Sequence, residues 1–250
     1  MEQITENVFI ETGVRGSNPG FVVTSEGVVL IDSPIDLDYA KVWAKEIGKR
    51  GEVHYIINTE HHLDHWLHNS FFDGEIISHQ AARDTMLTMD LSFIRKRIEV
   101  LYIDPLPIPD GHQLRRPNIT YSERMTLYLG KHTFQLIYTP GHTIGQTAVY
   151  IPEEKVVFTG DSVFGQKRTA IHEAFLDKWL ESLKILEKLD VNFIAPGHGK
   201  VCDKKDLNMQ ATIIQRLLES TQKTEGWTID EAVRRNIDPF YETRDIGLIP

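Results

Sequence analysis

Six consecutive residues concentrate the chemistry of this chain: Glu60-His61-His62-Leu63-Asp64-His65. They follow a short apolar run, Tyr55-Ile56-Ile57, and precede Trp66. An apolar run that breaks into a ligand-rich turn reads as a strand presenting side chains at the end of a sheet, where sites usually sit. Imidazole and carboxylate together suit divalent metals such as zinc, or iron and manganese where oxygen ligands dominate. On extended backbone residues i and i+2 point the same way, so Glu60 and His62 can grip one ion while His61 faces away. A polar turn with surface histidines is the plain alternative. Three later signals weigh against it. Pro140-Gly141-His142-Thr143, Thr159-Gly160-Asp161 and Pro196-Gly197-His198-Gly199 each follow an apolar run and place one ligand type just beyond a strand.

The elements that must position these residues are read from apolar periodicity. Residues 7–11 and 21–24 read as strands joined by a turn rich in Gly13, Gly16, Asn18 and Gly20. Val28-Val29-Leu30-Ile31-Asp32 is continuously apolar up to its acid, the pattern of a buried strand. Residues 38–49 carry Val42, Trp43 and Ile47 at helical spacing and stop before Gly51. A short helix is expected over 66–72, a strand over 76–78 and one helix over 81–100. Residues 101–118 hold Pro105, Pro107, Pro109 and Pro117 and cannot be regular helix. Leu101, Ile103, Leu106 and Ile108 suit this segment to an apolar flap at a site mouth or a contact between copies, so a homodimer is among the expected states. Strands over 119–121, 125–129, 134–138, 148–151 and 156–158 follow, then an amphipathic helix over 175–190. A last strand, 191–195, delivers His198. A helix over 207–218 comes next, and Thr228-Ile229-Asp230-Glu231 is a capping box opening a final helix. No solenoid period is present. The whole reads as one domain over 1–250 with C-terminal helices from about 203.

With these signals in this order, the chain resembles the metallo-β-lactamase-fold hydrolases. Their first signature, His-x-His-x-Asp-His, reads here Glu60-His61-His62-Leu63-Asp64-His65. A His after Pro-Gly, an Asp after Thr-Gly and a final His near Pro-Gly match His142, Asp161 and His198. The resemblance runs from about residue 8 to 198 and departs at the first His, which is Glu60. It implies an α/β fold, a four-layer αβ/βα sandwich of two mixed sheets flanked by helices. It also implies two divalent metal ions. Glu60, His62 and His142 would hold one, Asp64, His65 and His198 the other, with Asp161 across both. Asp32 takes a supporting place beside them. Zinc is the expected metal, and iron or manganese suit the added carboxylate of Glu60. Such a pair lowers the pKa of a shared water and makes hydroxide available. Asp64 would orient it and carry its proton to the leaving group. Two other ligand sets stay open: His61 in place of Glu60, or one ion on Asp64, His65, Asp161 and His198. In relatives the segment after the bridging Asp lines the pocket, so Lys167, Arg168 and His172 are candidates for binding a substrate carboxylate or phosphate. A solvated loop is the plain alternative. Phe164 stands where similar quorum-quenching lactonases carry a Tyr, which counts against that activity.

Composition bounds the rest. The 250 residues, 41% hydrophobic and 25% charged, suit a globular protein with a sizeable core. The 27 basic against 36 acidic residues, net −9, do not favour nucleic acid. Residues 1–6 show neither a basic flank nor an apolar core, so no secretory signal is expected. No apolar run suits a membrane span. The single cysteine, Cys202, fits a reducing, cytoplasmic compartment and reads as a small buried residue. His54, His68, His79, His112 and His132 lack ligand spacing and read as surface or hydrogen-bonded core residues. The expected function is metal-dependent hydrolysis of an ester, thioester, lactone or amide in a small molecule. A diiron redox enzyme, a β-lactamase-like or phosphodiester hydrolase and a binding protein on a decayed site are the rivals. Flavodiiron relatives carry their Glu at the position of His62. A nuclease would need a basic surface. Retained Asp64, His65, His142, Asp161 and His198 argue against decay. A serine nucleophile motif of the Gly-x-Ser-x-Gly kind is lacking.

Overall fold

A computed structural model of the protein describes residues 1–101, 104 and 106–223. The first sheet runs β1 (Glu2–Gln3), β2 (Val8–Ile10), β3 (Gly20–Thr24), β4 (Gly27–Ile31), β5 (Val53–Ile57), β6 (Glu75–His79) and β7 (Ile119–Tyr121), side by side in that order. Its pairs are antiparallel up to β4 and parallel beyond. The second sheet holds β8 (Arg124–Leu129), β9 (His132–Tyr138), β10 (Thr147–Ile151), β11 (Val156–Gly165) and β12 (Phe193–Gly199), with only β11 and β12 parallel. Both sheets are therefore mixed. The helices are α1 (Leu37–Gly48), α2 (Leu63–Trp66), α3 (Gln80–Leu87), α4 (Leu91–Leu101), α5 (Leu176–Glu187) and α6 (Lys204–Lys223).

The strand period of two explains the layers. In β4, Val29 and Ile31 face the second sheet, where they meet Phe134, Leu136, Val149 and Phe158. Val28 and Leu30 face outward and pack with Trp43 and Ile47 of α1. A strand buried on both faces must be apolar throughout, as the sequence of β4 is. On the far side, Trp179, Leu183 and Leu186 of α5 and Leu207, Ile214 and Leu217 of α6 cover Ala148, Val157 and Ile194. The order helix, sheet, sheet, helix is the expected αβ/βα sandwich.

Several boundaries differ from the periodicity reading. The helix expected at 66 begins at Leu63, because Leu63, Trp66 and Leu67 must bury together with Ile35, Met86 and Ile94. Asp64 and His65 thus stand on a helical turn. The span 81–100 is two helices rather than one. Asp90 Oδ1 accepts the Phe93 N–H at 2.7 Å, an N-cap that restarts the chain as α4. Strand β11 runs on through polar Thr159 to Ser162, with register shifts around Gly160. Strand β12 likewise runs through His198, and β1 was not anticipated. The described part of 101–118 is ordered beside α2. Leu106 is buried with Leu63 and Trp66, and the His112 ring lies 2.9 Å from the Leu67 carbonyl. The helix expected from Thr228 lies outside the described residues.

Candidate metal centre

The parallel strands deliver the site from their C-terminal ends. Past β5, Asn58 and Thr59 keep the loop fixed. Asn58 N–H donates to Ile77 O, Thr59 N–H to Asp32 Oδ1, and Thr147 N–H to Thr59 O. Trp66 Nε1–H donates to His61 O at 2.8 Å, which pins the loop from the other side. Glu60 and His62 then enter the cleft, and α2 adds Asp64 and His65. His142 comes from the loop after β9, Asp161 from β11 and His198 from β12.

All seven side chains named from the sequence meet in two groups. Glu60, His62, His142 and Asp161 form one, and Asp64, His65 and His198 the other, with ligand atoms in each within 4.8 Å of one another. Glu60 Oε2 lies 2.7 Å from His62 Nδ1, which is 3.2 Å from His142 Nε2. Asp161 spans the groups. Its Oδ2 is 3.4 Å from His142 Nε2 and 3.3 Å from His198 Nε2, and its Oδ1 is 3.5 Å from His65 Nε2. Asp64 Oδ2 is 3.3 Å from His198 Nε2. Glu60 also reaches across, with Oε1 3.6 Å from His65 Nε2. His61 turns away and pairs with Glu173 at 3.0 Å.

Outer contacts hold the rings. His142 Nδ1–H donates to Ala170 O at 3.0 Å, and His65 Nδ1 faces Asp32 Oδ2 at 2.8 Å. Each leaves Nε2 for the cleft. The Phe164 ring stacks on His198 at 5.6 Å, and Trp179 meets His142 edge-on at 5.4 Å. Two glycines make room. A Cβ on Gly197 would fall 1.9 Å from Asp161 Oδ1, and Gly160, at φ 49°, would put one 2.2 Å from Gln146 Nε2.

The charges are those of a cation site. Burial disfavours a charged His62, but Glu60 and Glu173 outweigh it and lift the ring to about 10. Burial, then Asp161 and Asp64, set the same contest at His198, which also rises to about 10. Burial would raise Glu60, yet His62, His142 and His65 hold it at about 2. Glu60 Oε1, Asp161 Oδ1 and His65 Nε2 are buried without a hydrogen-bond partner among the described residues. Buried polar atoms are rarely left so. A donor set of imidazoles and carboxylates that converge on one space, with ring protons a cation would displace, fits divalent metal ions.

The weaker candidates are placed as follows. His172 Nε2 stands 3.2 Å from His62 Nε2, at the rim. Lys167 runs beside Gly199, and Arg168 follows it, half-buried. Glu173 was missed. A lone Glu in an irregular stretch has no spacing to betray it, and adjacency to His172 is its one sequence signal. Among the other histidines, His68 and His79 bond backbone carbonyls of Pro34 and Ser122, and His132 lies against Glu154. Cys202 is buried between backbone bonds to Ile194, and burial pushes its thiol up.

The sequence profile of the Metallo-beta-lactamase superfamily matches residues 12–198. The chain belongs to that superfamily. It is similar to the Metallo-beta-lactamase type 2 of Elizabethkingia meningoseptica, 27% identical over 233 residues, which cover 88% of this chain and 83% of that one. It is 38% identical over 72 residues to the Beta-lactamase-like protein 2 homolog of Caenorhabditis elegans, a match to 29% of this chain and 24% of that relative. Among solved structures, the metallo-beta-lactamase from Pontibacter korlensis superposes with a TM-score of 0.67 at 19% identity, covering 86% of this chain and 97% of its own, a likeness of fold. Among the described residues no helix is long and apolar enough to cross a membrane.

Proposed function

We propose that the protein is a cytoplasmic hydrolase that uses two divalent metal ions, zinc foremost, to cleave an ester, thioester, lactone or amide bond of a small molecule. One ion is assigned to Glu60, His62, His142 and Asp161, the other to Asp64, His65, His198 and Asp161. The observation that carries this is the convergence of buried, unpartnered oxygens of Glu60 and Asp161 with imidazole nitrogens facing the same space. Bound there, the metals supply Lewis acidity and a water acidic enough to react near neutral pH.

The protein's own groups do the rest. Asp161 and Glu60 are placed between the groups and fix their separation. Asp64 Oδ2, at the cleft face of α2, can take a proton from the attacking water and return it to the leaving group. His172 stands at the rim, where it can meet a substrate anion, with Lys167 and Arg168 further along the same segment. Phe164 has no hydroxyl to offer a leaving alkoxide, so lactones rank last among the substrates. The carboxylate of Glu60 supports a second reading, an iron-loaded redox centre, since it favours harder ions than imidazole does.

The test is reconstitution of the metal-stripped protein with zinc, manganese or iron, followed by a panel of aryl esters, thioesters, a lactone and a β-lactam. Hydrolysis should appear with metal and vanish on chelation. Equal hydrolysis without metal would overturn the proposal. Oxygen consumption by the iron form, with no hydrolysis by any form, would replace it with the redox reading.

A further inference from the structure

The rim of the centre holds donors that the dinuclear reading leaves unused. His61 Nε2 is 3.0 Å from Glu173 Oε2, and the same oxygen is 3.7 Å from His62 Nε2. The three ligand atoms lie within 4.8 Å of one another. Ligands on a zinc-sized ion, at bonds of about 2.1 Å in tetrahedral geometry, stand roughly 3.4 Å apart. The rim atoms are already near that spacing. The His62 ring faces both ways. Its Nδ1 meets Glu60 at 2.7 Å, and its Nε2 turns to Glu173 and His172.

We propose that His61, His62 and Glu173 form a rim site for a third divalent cation, linked to the inner centre through the His62 ring. The charge count agrees. Glu60 adds one negative charge where the family signature has a neutral imidazole, Glu173 a second and the doubly deprotonated His62 ring a third, while Arg97 beside Glu173 returns one positive charge, a net of −2 against one divalent ion. Glu173 divides its oxygens. Oε1 looks toward Arg97, 3.9 Å away, and Oε2 toward the two histidines. Buried His61 is held by the loop that Trp66 pins, whereas Glu173 is exposed, so the site is rigid within and open outward to water or a substrate group. Binding on both nitrogens requires His62 to lose both ring protons to solvent.

The rim site extends the dinuclear reading through His62 but is counted separately from it. The full chain, metal-stripped and equilibrium-dialysed against zinc, should hold one equivalent more than Glu173→Gln or His61→Phe. Zinc-edge anomalous diffraction should place a peak in bonding contact with His61 Nε2, His62 Nε2 and Glu173 Oε2. A count that falls from two to one with Glu173→Gln, with the rim peak present, would keep the rim site and discard the dinuclear centre. Equal counts with no rim peak would overturn the proposal. So would a Glu173→Gln loss confined to the site of Glu60, His142 and Asp161, because Glu173 would then be a positioning carboxylate for His62.

Discussion

Asp32 holds His65 from behind: its Oδ2 lies 2.8 Å from His65 Nδ1, on the side of the ring away from the cleft. The same carboxylate accepts Thr59 N–H at 2.8 Å and Thr59 Oγ1–H at 2.7 Å. Asp32 takes a left-handed φ of 58° to reach them at the end of β4. One acid thus ties two strand ends together and fixes which His65 nitrogen faces Asp161.

Asp32→Asn tests that tie. Asn tolerates the left-handed backbone and keeps the shape. It loses the negative charge that orients the ring and raises its basicity. Metal affinity at the group of Asp64, His65 and His198 should fall by about 10–100-fold. Competition against a chromophoric chelator measures it. Unchanged affinity would leave Asp32 a purely structural residue.

Glu60 should set metal preference. Its carboxylate replaces an imidazole and lies 2.7 Å from His62 Nδ1. Glu60→His should retain metal binding and move the preference toward zinc over manganese, by removing a hard, charged donor. Glu60→Ala should lose an equivalent. Metal content after loading from an equimolar mixture checks both variants. The same content and selectivity in all three proteins would remove Glu60 from the ligand set.

Much of this was legible from sequence because buried parallel strands are apolar on both faces and end where polar residues begin. Residues 28–31 and 55–57 show that change plainly, with Asp32 directly after the first run and Glu60 three residues past the second. The rest depends on tertiary packing. The turn at Leu63 forms because Leu63 and Trp66 bury with Met86 and Ile94, partners remote in sequence. The extension of β11 through Asp161 needs β12 beside it, and polar Thr159 and Ser162 mask it. The pairing of Glu173 with His61 joins residues 112 positions apart, beyond the reach of periodicity.

His68 should make stability pH-dependent. Its Nδ1–H donates to Pro34 O at 3.0 Å, while Nε2 is buried without a partner among the described residues. Burial, with His112 adding to it, lowers the ring from 6.5 to about 4. The unfolded chain therefore binds this proton more readily than the folded one. The effect is absent above the unfolded value and grows as pH falls from 6.5 to 4, reaching about 3 kcal/mol of lost stability. His68→Asn keeps a donor for Pro34 and removes the titration. Denaturant unfolding of both proteins across this window should show the gap between them shifting in favour of the variant toward acid. A constant gap would refute the assignment.

The bridging ligand and the proton carrier should fail differently. Asp161 spans both groups, with Oδ2 3.4 Å from His142 and 3.3 Å from His198. Asp161→Ala removes that span, so metal content and hydrolysis should fall together. Asp64 is 3.3 Å from His198, and Asp64→Asn keeps its shape and one donor oxygen. It loses the acid–base function, typically worth about 10²–10⁴ in rate. Its activity should therefore drop well beyond its metal content. Cys202→Ser should leave both nearly unchanged, since the thiol is buried beside Ile194 and pushed up in pKa by that burial. Metal analysis and turnover on one substrate, run on all three variants, separate these outcomes. A metal-independent activity that disappears with Cys202→Ser would end the metal-hydrolase reading and make the thiol the nucleophile.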